Sequence, residues 1–430
     1  MTSMVLPAPD PFLSALLEGL ADRPDSGSSG IERMRKEAIA QLQGMTLPTT
    51  RAEEWRFTSL ETLKRHRFVS AVRSQEVEAE HLQPSYIPQS ARMVFVDGHF
   101  SPELSDLQRL PEEVVAASLR LNEDAAAFSE LPSDVFDLVN AAFLEDGAWI
   151  SVPKGFECQV PLHLLFVSTT GTEAVASHPR VRVKAGANSS LTVFEEYVSL
   201  GEGVNWTNAV TEAKLDGGAK LLHIKLQNEN HASIHLGRTY VLQEHDSAYL
   251  STTVTLGAAF SRQEPTIRQL GEGAECSLMG LAMVSEDQFA DTHSSVEHLK
   301  PYGTSHQLHK CIVDGHGRAV FNGKIMVRPD AQQINSTQAS RNLLLSDHAR
   351  VDTKPQLEIF ADDVKCSHGA TVGQLDSEEL FYLQSRGLGP KEATSLLTYA
   401  FAAEVLESIP VPSLKHRLQR LAFALVPEGR

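Results

Sequence analysis

One small motif recurs through the middle of the chain and limits its folding more than any other feature. A corner of polar or glycine residues, then an alanine, then a new β-rich run is found at Ala187, Ala219, Ala248, Ala274, Ala319 and Ala349. The steps are 32, 29, 26, 45 and 30 residues, so most lie near 30 and the long one near one and a half units. A coil that stacks on the previous coil must turn at the same place, and a regular return at this interval is what a β-solenoid predicts. A sandwich or barrel places turn signals every 8–12 residues or so without repeating them in kind. Periodicity alone leaves that second architecture open.

The flanks read differently. Residues 1–150 form an N-terminal helical or mixed region: PFLSALLEGLA (11–21) has helical spacing, and DSGSSG (25–30) is a flexible break. IERMRKEAIAQLQG is an amphipathic helix closed by Gly44. Within the same region ARMVFVDGHF (91–100) reads as a strand entering an Asp-Gly turn, and SDVFDLVNAAFLEDG (133–147) as a helix stopped by Gly147. Residues 151–375 carry the β texture. Residues 376–430 return to helix, with a Ser cap and early glutamates in SEELFYLQSRG and prolines opening the next two helices. In the second of these helices, Leu396, Leu397, Tyr399, Ala400 and Val405 are expected to form a buried face. The expected fold is therefore mainly β, a parallel β-helix (solenoid) core flanked by N-terminal and C-terminal α-helical domains.

Charge removes several function classes. The chain of 430 residues has 55 Asp and Glu against 38 Lys and Arg, a formal charge of −17 that opposes binding to nucleic acid or anionic membrane. No apolar run approaches the roughly 20 residues of a membrane span, and the opening MTSMVLPAPDPF has Pro and Asp where a signal peptide needs a basic start and an apolar stretch. The chain reads as cytoplasmic. Motifs for nucleotide hydrolysis, nucleophile elbows and zinc hydrolases are missing, so no enzyme is expected. The adjacent pairs Glu195–Glu196 and Asp362–Asp363 would diverge to opposite faces of a strand and do not make a glycosidase couple.

Two places could ligate metal. Cys366 and His368, in IFADDVKCSHGATVGQLD (359–376), are two residues apart and share one face of an extended strand, about 7 Å apart at Cα. A thiolate and an imidazole suit soft or borderline metals and iron–sulfur clusters. Lys365 lies near enough to favour the thiolate slightly. Two ligands leave a coordination sphere incomplete, so the rest must come from a partner chain, a small thiol or the bound species. In a solenoid this segment is the last coil, whose unpaired edge must be capped or paired. The second place is a run of five histidines, His293, His298, His306, His309 and His316. Cys158, Cys276 and Cys311 read as buried structural residues, with Cys311 the strongest exception because His306, His309 and Lys310 surround it.

The run DTKPQLEIFADDVKCSHGATVGQLD with LFYLQSRG (352–387) closely resembles the SufD family of the Suf iron–sulfur cluster assembly machinery. Further matches lie in LPTTRAEEWRFTSL (47–60), MVFVDGHF (93–100), HIKLQNE (223–229), HQLHKCIVDGHGRAVFNGKI (306–325) and YAFAAEVLE (399–407). The resemblance implies a non-catalytic scaffold subunit that pairs with its paralogue SufB through β-helix ends and carries the ATPase SufC on its C-terminal helices. It also implies a role in iron acquisition. A transient iron–sulfur cluster or iron would form at the SufB junction, faced by His368 with Cys366 nearby, and nothing would be tightly bound to the isolated chain. Leu383 stands where SufB has a functional cysteine, which fits SufD. The same edge could pair with a second copy of this chain. Two other classes compete: a β-solenoid carbohydrate-active enzyme, which needs converging carboxylates, and a stand-alone Cys/His metalloprotein, which needs stoichiometric metal in the monomer.

Overall fold

The computed structural model describes residues 10–20, 27–71, 77–121 and 134–425. Most of the opening segment and part of the 25–30 break lie outside them. Its core is a flattened parallel β-solenoid of about eight turns, each contributing one strand to each of two facing sheets. The turns run from Gly147–Val152 and Leu162–Thr169 to Arg350–Ile359 and Val364–Gly373. Ile234 sits beside Trp206 on one side and Phe260 on the other, and every later coil repeats this stacking.

The corner explains the period. One residue per coil adopts a left-handed backbone at the turn leading into one sheet: Asn188, Gly218, Asp246, Gly273, Tyr302 and Gln333, with φ from +54° to +71°. The N–H of each donates to a carbonyl of the next coil, as in Gly218 N–H to His245 O at 2.8 Å and Tyr302 N–H to Gln332 O at 3.0 Å. Asn, Gly and Asp reach this conformation at little cost. The alanines are its neighbours. The carbonyls of Ala219, Ala274 and Gly303 accept from Ala248, Thr304 and Asn335 of the following strands. Gly303 thus occupies the place where an alanine is missing, and Ala319 belongs to Arg318–Val327 in the opposite sheet. The 45-residue step is one coil and a half.

Both sheets start upstream of residue 151. Ala91–Val96 pairs with Leu162–Thr169, and Gly147–Val152 pairs with Arg180–Ala185. The upstream end is closed by short antiparallel partners, His99–Phe100 and Val115–Ser118. Helices Pro11–Glu18, Ser29–Leu42 and Val135–Ala142 pack on the flank of one sheet, with Phe136 against Trp206, Ile234 and Phe260 of successive coils. Asp10 caps the first by accepting from Phe12 N–H at 2.9 Å, and its other oxygen accepts from Leu47 N–H at 3.1 Å.

At the other end of the chain, helices Pro390–Leu406 and Pro412–Ala424 lie on the outer face of one sheet, and Ser377–Ser385 packs on Pro390–Leu406. Ala402, Val405, Leu406, Ile409, Leu414 and Leu418 bury against Leu226, Val254, Leu281 and Ile312. The buried face differs from the expected one: Val405 is in it, but Leu396 and Ala400 are exposed. The sheet, rather than the neighbouring helices, selects which stripe is covered.

Candidate functional site

The downstream end of the solenoid is bare. Arg350–Ile359 and Val364–Gly373 each pair with one strand only, so both present an unpaired edge among the described residues. Pro355 sits on the first of these edges, a position where a missing N–H is tolerated. Cys366 lies beside Ser336 and His368 beside Gln338, both buried residues of the preceding coil, so the two side chains face the solenoid interior at its mouth. Cys366 is half-buried against Val364, Ile334 and Leu357. His368 is exposed.

Burial pushes the Cys366 thiol above its ordinary value, opposed by a hydrogen bond from the Ser336 backbone. Lys365 does not reverse this, because alternation turns it to the other face. The thiol therefore stays protonated at neutral pH until something electrophilic, such as a metal ion, displaces the proton. Two donors about 7 Å apart at Cα can bind a shared cargo from one side. They leave its other side to a second set of ligands.

The remaining expected ligands do not gather. Among the described residues no group of three or more His, Cys, Asp or Glu side chains is placed to hold a metal ion. Of the five histidines, His293 pairs with Glu54 at 2.5 Å and His298 bonds Ser305 at 3.0 Å. His306 meets Thr337 at 2.7 Å, and His316 stacks on His348 at 4.8 Å. His309 lies inside the solenoid, stacked on Phe321 at 4.9 Å. Cys311 is no exception to the buried set: it is fully enclosed by Ala282, Val313 and Ala319, and burial pushes its thiol up to about 12. Its polar sequence neighbours alternate away from it or lie along the interior.

Two buried charge clusters escaped the sequence reading, although their carboxylates had been read as diverging. Glu195 turns inward, accepting from His223 Nε2 at 2.8 Å and facing Lys225 Nζ at 3.4 Å. Glu196 turns outward to His163 at 3.0 Å and to Arg417 Nη1 at 2.7 Å, tying the last helix to the sheet. Both carboxyls are held below the usual range; burial opposes this, but the paired cations and hydrogen bonds win. The signal in the sequence was two consecutive carboxylates in a strand otherwise rich in apolar residues.

Helix Ser377–Ser385 has no buried residue and exposes Phe381 and Tyr382 at 71% and 56%, more than a water-facing helix normally offers. It follows directly from the edge strand Val364–Gly373. A bare β mouth and an apolar helix therefore stand side by side.

The chain matches a family model described as "SUF system FeS cluster assembly, SufBD core domain" over residues 166–401, and one described as "SufBD protein N-terminal region" over 23–164. It belongs to the SufBD family. Among SufBD relatives it is 36% identical to the iron–sulfur cluster assembly protein SufD of Escherichia coli, over 92% of this chain and 93% of that protein. It is 37% identical to an iron–sulfur cluster assembly SufBD family protein of Synechocystis, over 90% of this chain and 89% of that one. A chloroplastic protein of Arabidopsis thaliana, ABCI7, is 34% identical over 93% and 88%. The chain is thus a SufD-type iron–sulfur cluster assembly protein. No helix among the described residues is long and apolar enough to cross a membrane.

Proposed function

We propose that this SufBD protein is a non-catalytic scaffold subunit whose bare solenoid mouth docks on SufB, with iron or a nascent iron–sulfur cluster as cargo at the junction. The observation that carries this reading is the coincidence of two unpaired edges with Cys366 and His368 on the inward face of the outermost strand. His368, exposed at the mouth, is the ligand in this reading, and Cys366 assists it. The partner supplies the missing ligands. SufC would dock on the helices after Asp376, where Phe381 and Tyr382 are exposed, and its ATP-driven motion would open or close the junction. Iron acquisition and a cytoplasmic setting belong to the same proposal.

Anaerobic co-purification of the chain with SufB and SufC tests it. A ternary complex whose visible absorption reports a cluster, absent from the isolated chain, is the expected result. Stoichiometric metal in the isolated chain would favour the stand-alone metalloprotein instead. A dimer of the chain alone would show that the same edge also accepts a second copy.

A further inference from the structure

One member of the histidine run is left without a task. His293, His298 and His306 each hold a hydrogen-bond or ion-pair partner, and His309 is enclosed by the coils. His316 is exposed, and its ring nitrogens have no hydrogen-bond partner among the described residues. What it touches is the ring of His348, one coil on, which is exposed and equally unbonded.

Strand register explains the meeting. Phe289, Arg318 and Arg350 are aligned across three successive strands of one sheet, so Asp287, His316 and His348, two residues before each, hold the same place in three stacked turns. Backbone bonds fix those turns: Arg318 N–H donates to Gln288 O at 2.9 Å, and Arg350 N–H to Gly317 O at 3.1 Å. Ser346 Oγ donates to Gly315 O at 2.6 Å and ties the second turn to the third. The imidazole centroids are 4.8 Å apart with planes 6° from parallel, which is the spacing of neighbouring strands. Each ring has a nitrogen lone pair that suits a metal ion of borderline softness. Two nitrogens on one tetrahedral zinc are roughly 3.3 Å apart, given bonds of about 2.0–2.1 Å. The rings need to lean together by about 1.5 Å, which exposed side chains do by rotation about χ1 and χ2 while the turns stay fixed. The same turns carry Glu286, Asp287 and Asp347, all exposed, and the half-buried Asp314. The cations nearby are engaged, since Arg318 and Arg350 both pair with Asp352.

We infer that His316 and His348 form a surface site for one divalent transition-metal ion, with the two imidazoles chelating it across adjacent coils and water filling the remaining positions. An ion bound there clips the turn that leads into the edge strand Arg350–Ile359 to the coil before it. The site is separate from Cys366 and His368, which belong to the opposite sheet, and it does not depend on the proposed cargo there.

Calorimetric titration of the full chain with zinc tests it, in a Cys366→Ser, His368→Ala background that removes the ligands at the mouth. His316→Gln and His348→Gln are each expected to weaken zinc binding at least about tenfold, because a chelate loses its second bond. His306→Gln, exposed on another part of the coil, is expected to leave it unchanged. Equal thermal midpoints in EDTA across these chains show that a loss of zinc is not a loss of fold. A zinc-edge anomalous map of the unmodified chain reads the site directly, with one peak expected between the two rings. No zinc uptake in the background chain, uptake that survives either substitution, or a peak held by one ring alone would overturn the inference. So would a peak in the crystal without binding in solution, which would be occupancy at crystal concentration only.

Discussion

Cys366 and His368 stand two residues apart on one strand, yet their surroundings assign them different weights. The imidazole is exposed and free to rotate towards a cargo, whereas the thiol is half-buried with burial holding its proton. His368→Ala is expected to reduce cluster yield in cells more than Cys366→Ser, with either change within about 0.5 kcal/mol of the parent in urea unfolding, as for most surface substitutions. Equal yields, or the reverse order, would mean that the thiol is the principal donor. A second expectation concerns acid. Burial pushes both His298 and His309 down to about 4. Unfolding restores their ordinary value near 6.5, so between these limits the unfolded chain binds more protons. Their contribution to stability is therefore full above about pH 6.5 and declines as the pH falls towards 4. Asp137, which burial pushes up to about 7, works the other way in the same window. The urea midpoint of a His298→Gln, His309→Gln variant should therefore fall less than that of the parent between about pH 7 and 5, and parallel profiles would contradict it. Sequence spacing was enough to put Cys366 and His368 on one face. It misread Cys311, because adjacency along a strand says nothing about which neighbours share its side of the sheet.

Each corner of the solenoid asks for one residue that tolerates φ > 0, and that demand is what made the repeat readable. Asn188, Gly218, Asp246 and Gly273 are the usual residues for it, and the alanine signal marked their position. Tyr302 and Gln333 satisfy the same geometry without the usual chemistry, so the signal faded and then reappeared on the opposite sheet at Ala319. Gly218→Ala is expected to destabilise by about 1–2 kcal/mol from backbone strain. The new Cβ would also approach Asn188 Oδ1 to 2.2 Å. Tyr302→Gly removes the same strain and should raise the thermal midpoint or leave it unchanged, since Tyr302 is 56% exposed and loses little packing. Calorimetry of the two variants checks the pair. A loss in both would show that these corners are held by side-chain packing and not by backbone freedom. Helix boundaries were also legible from Pro and capping residues. The buried stripe of Pro390–Leu406 was not, because the surface it meets comes from strands far back in the chain, between Leu226 and Leu343.

At the scale of the whole molecule, the C-terminal helices do two things at once. Their inner side covers Leu226, Val254, Leu281 and Ile312, while their outer side shows Phe381 and Tyr382. Cutting the chain after Asp376 would strip that cover, and the truncated protein is expected to aggregate on size-exclusion chromatography. Paired Phe381→Ser and Tyr382→Ser substitutions touch only the outer side. They should leave the thermal midpoint unchanged and weaken capture of SufC; undiminished capture would move the dock elsewhere. The architecture itself was visible in the repeat and in the resemblance together, but the polar interior was not, since a two-residue alternation does not say which side of a strand is the inside. One asymmetry of the coil stack has a further consequence. Short antiparallel strands cover its upstream terminus and its downstream terminus ends on two long parallel edges, so in the proposed docking a second solenoid adds once, mouth to mouth. Under that docking growth would stop at two bodies, and a fold otherwise shaped like the protofilament of a fibre would be made finite by having a single sticky face.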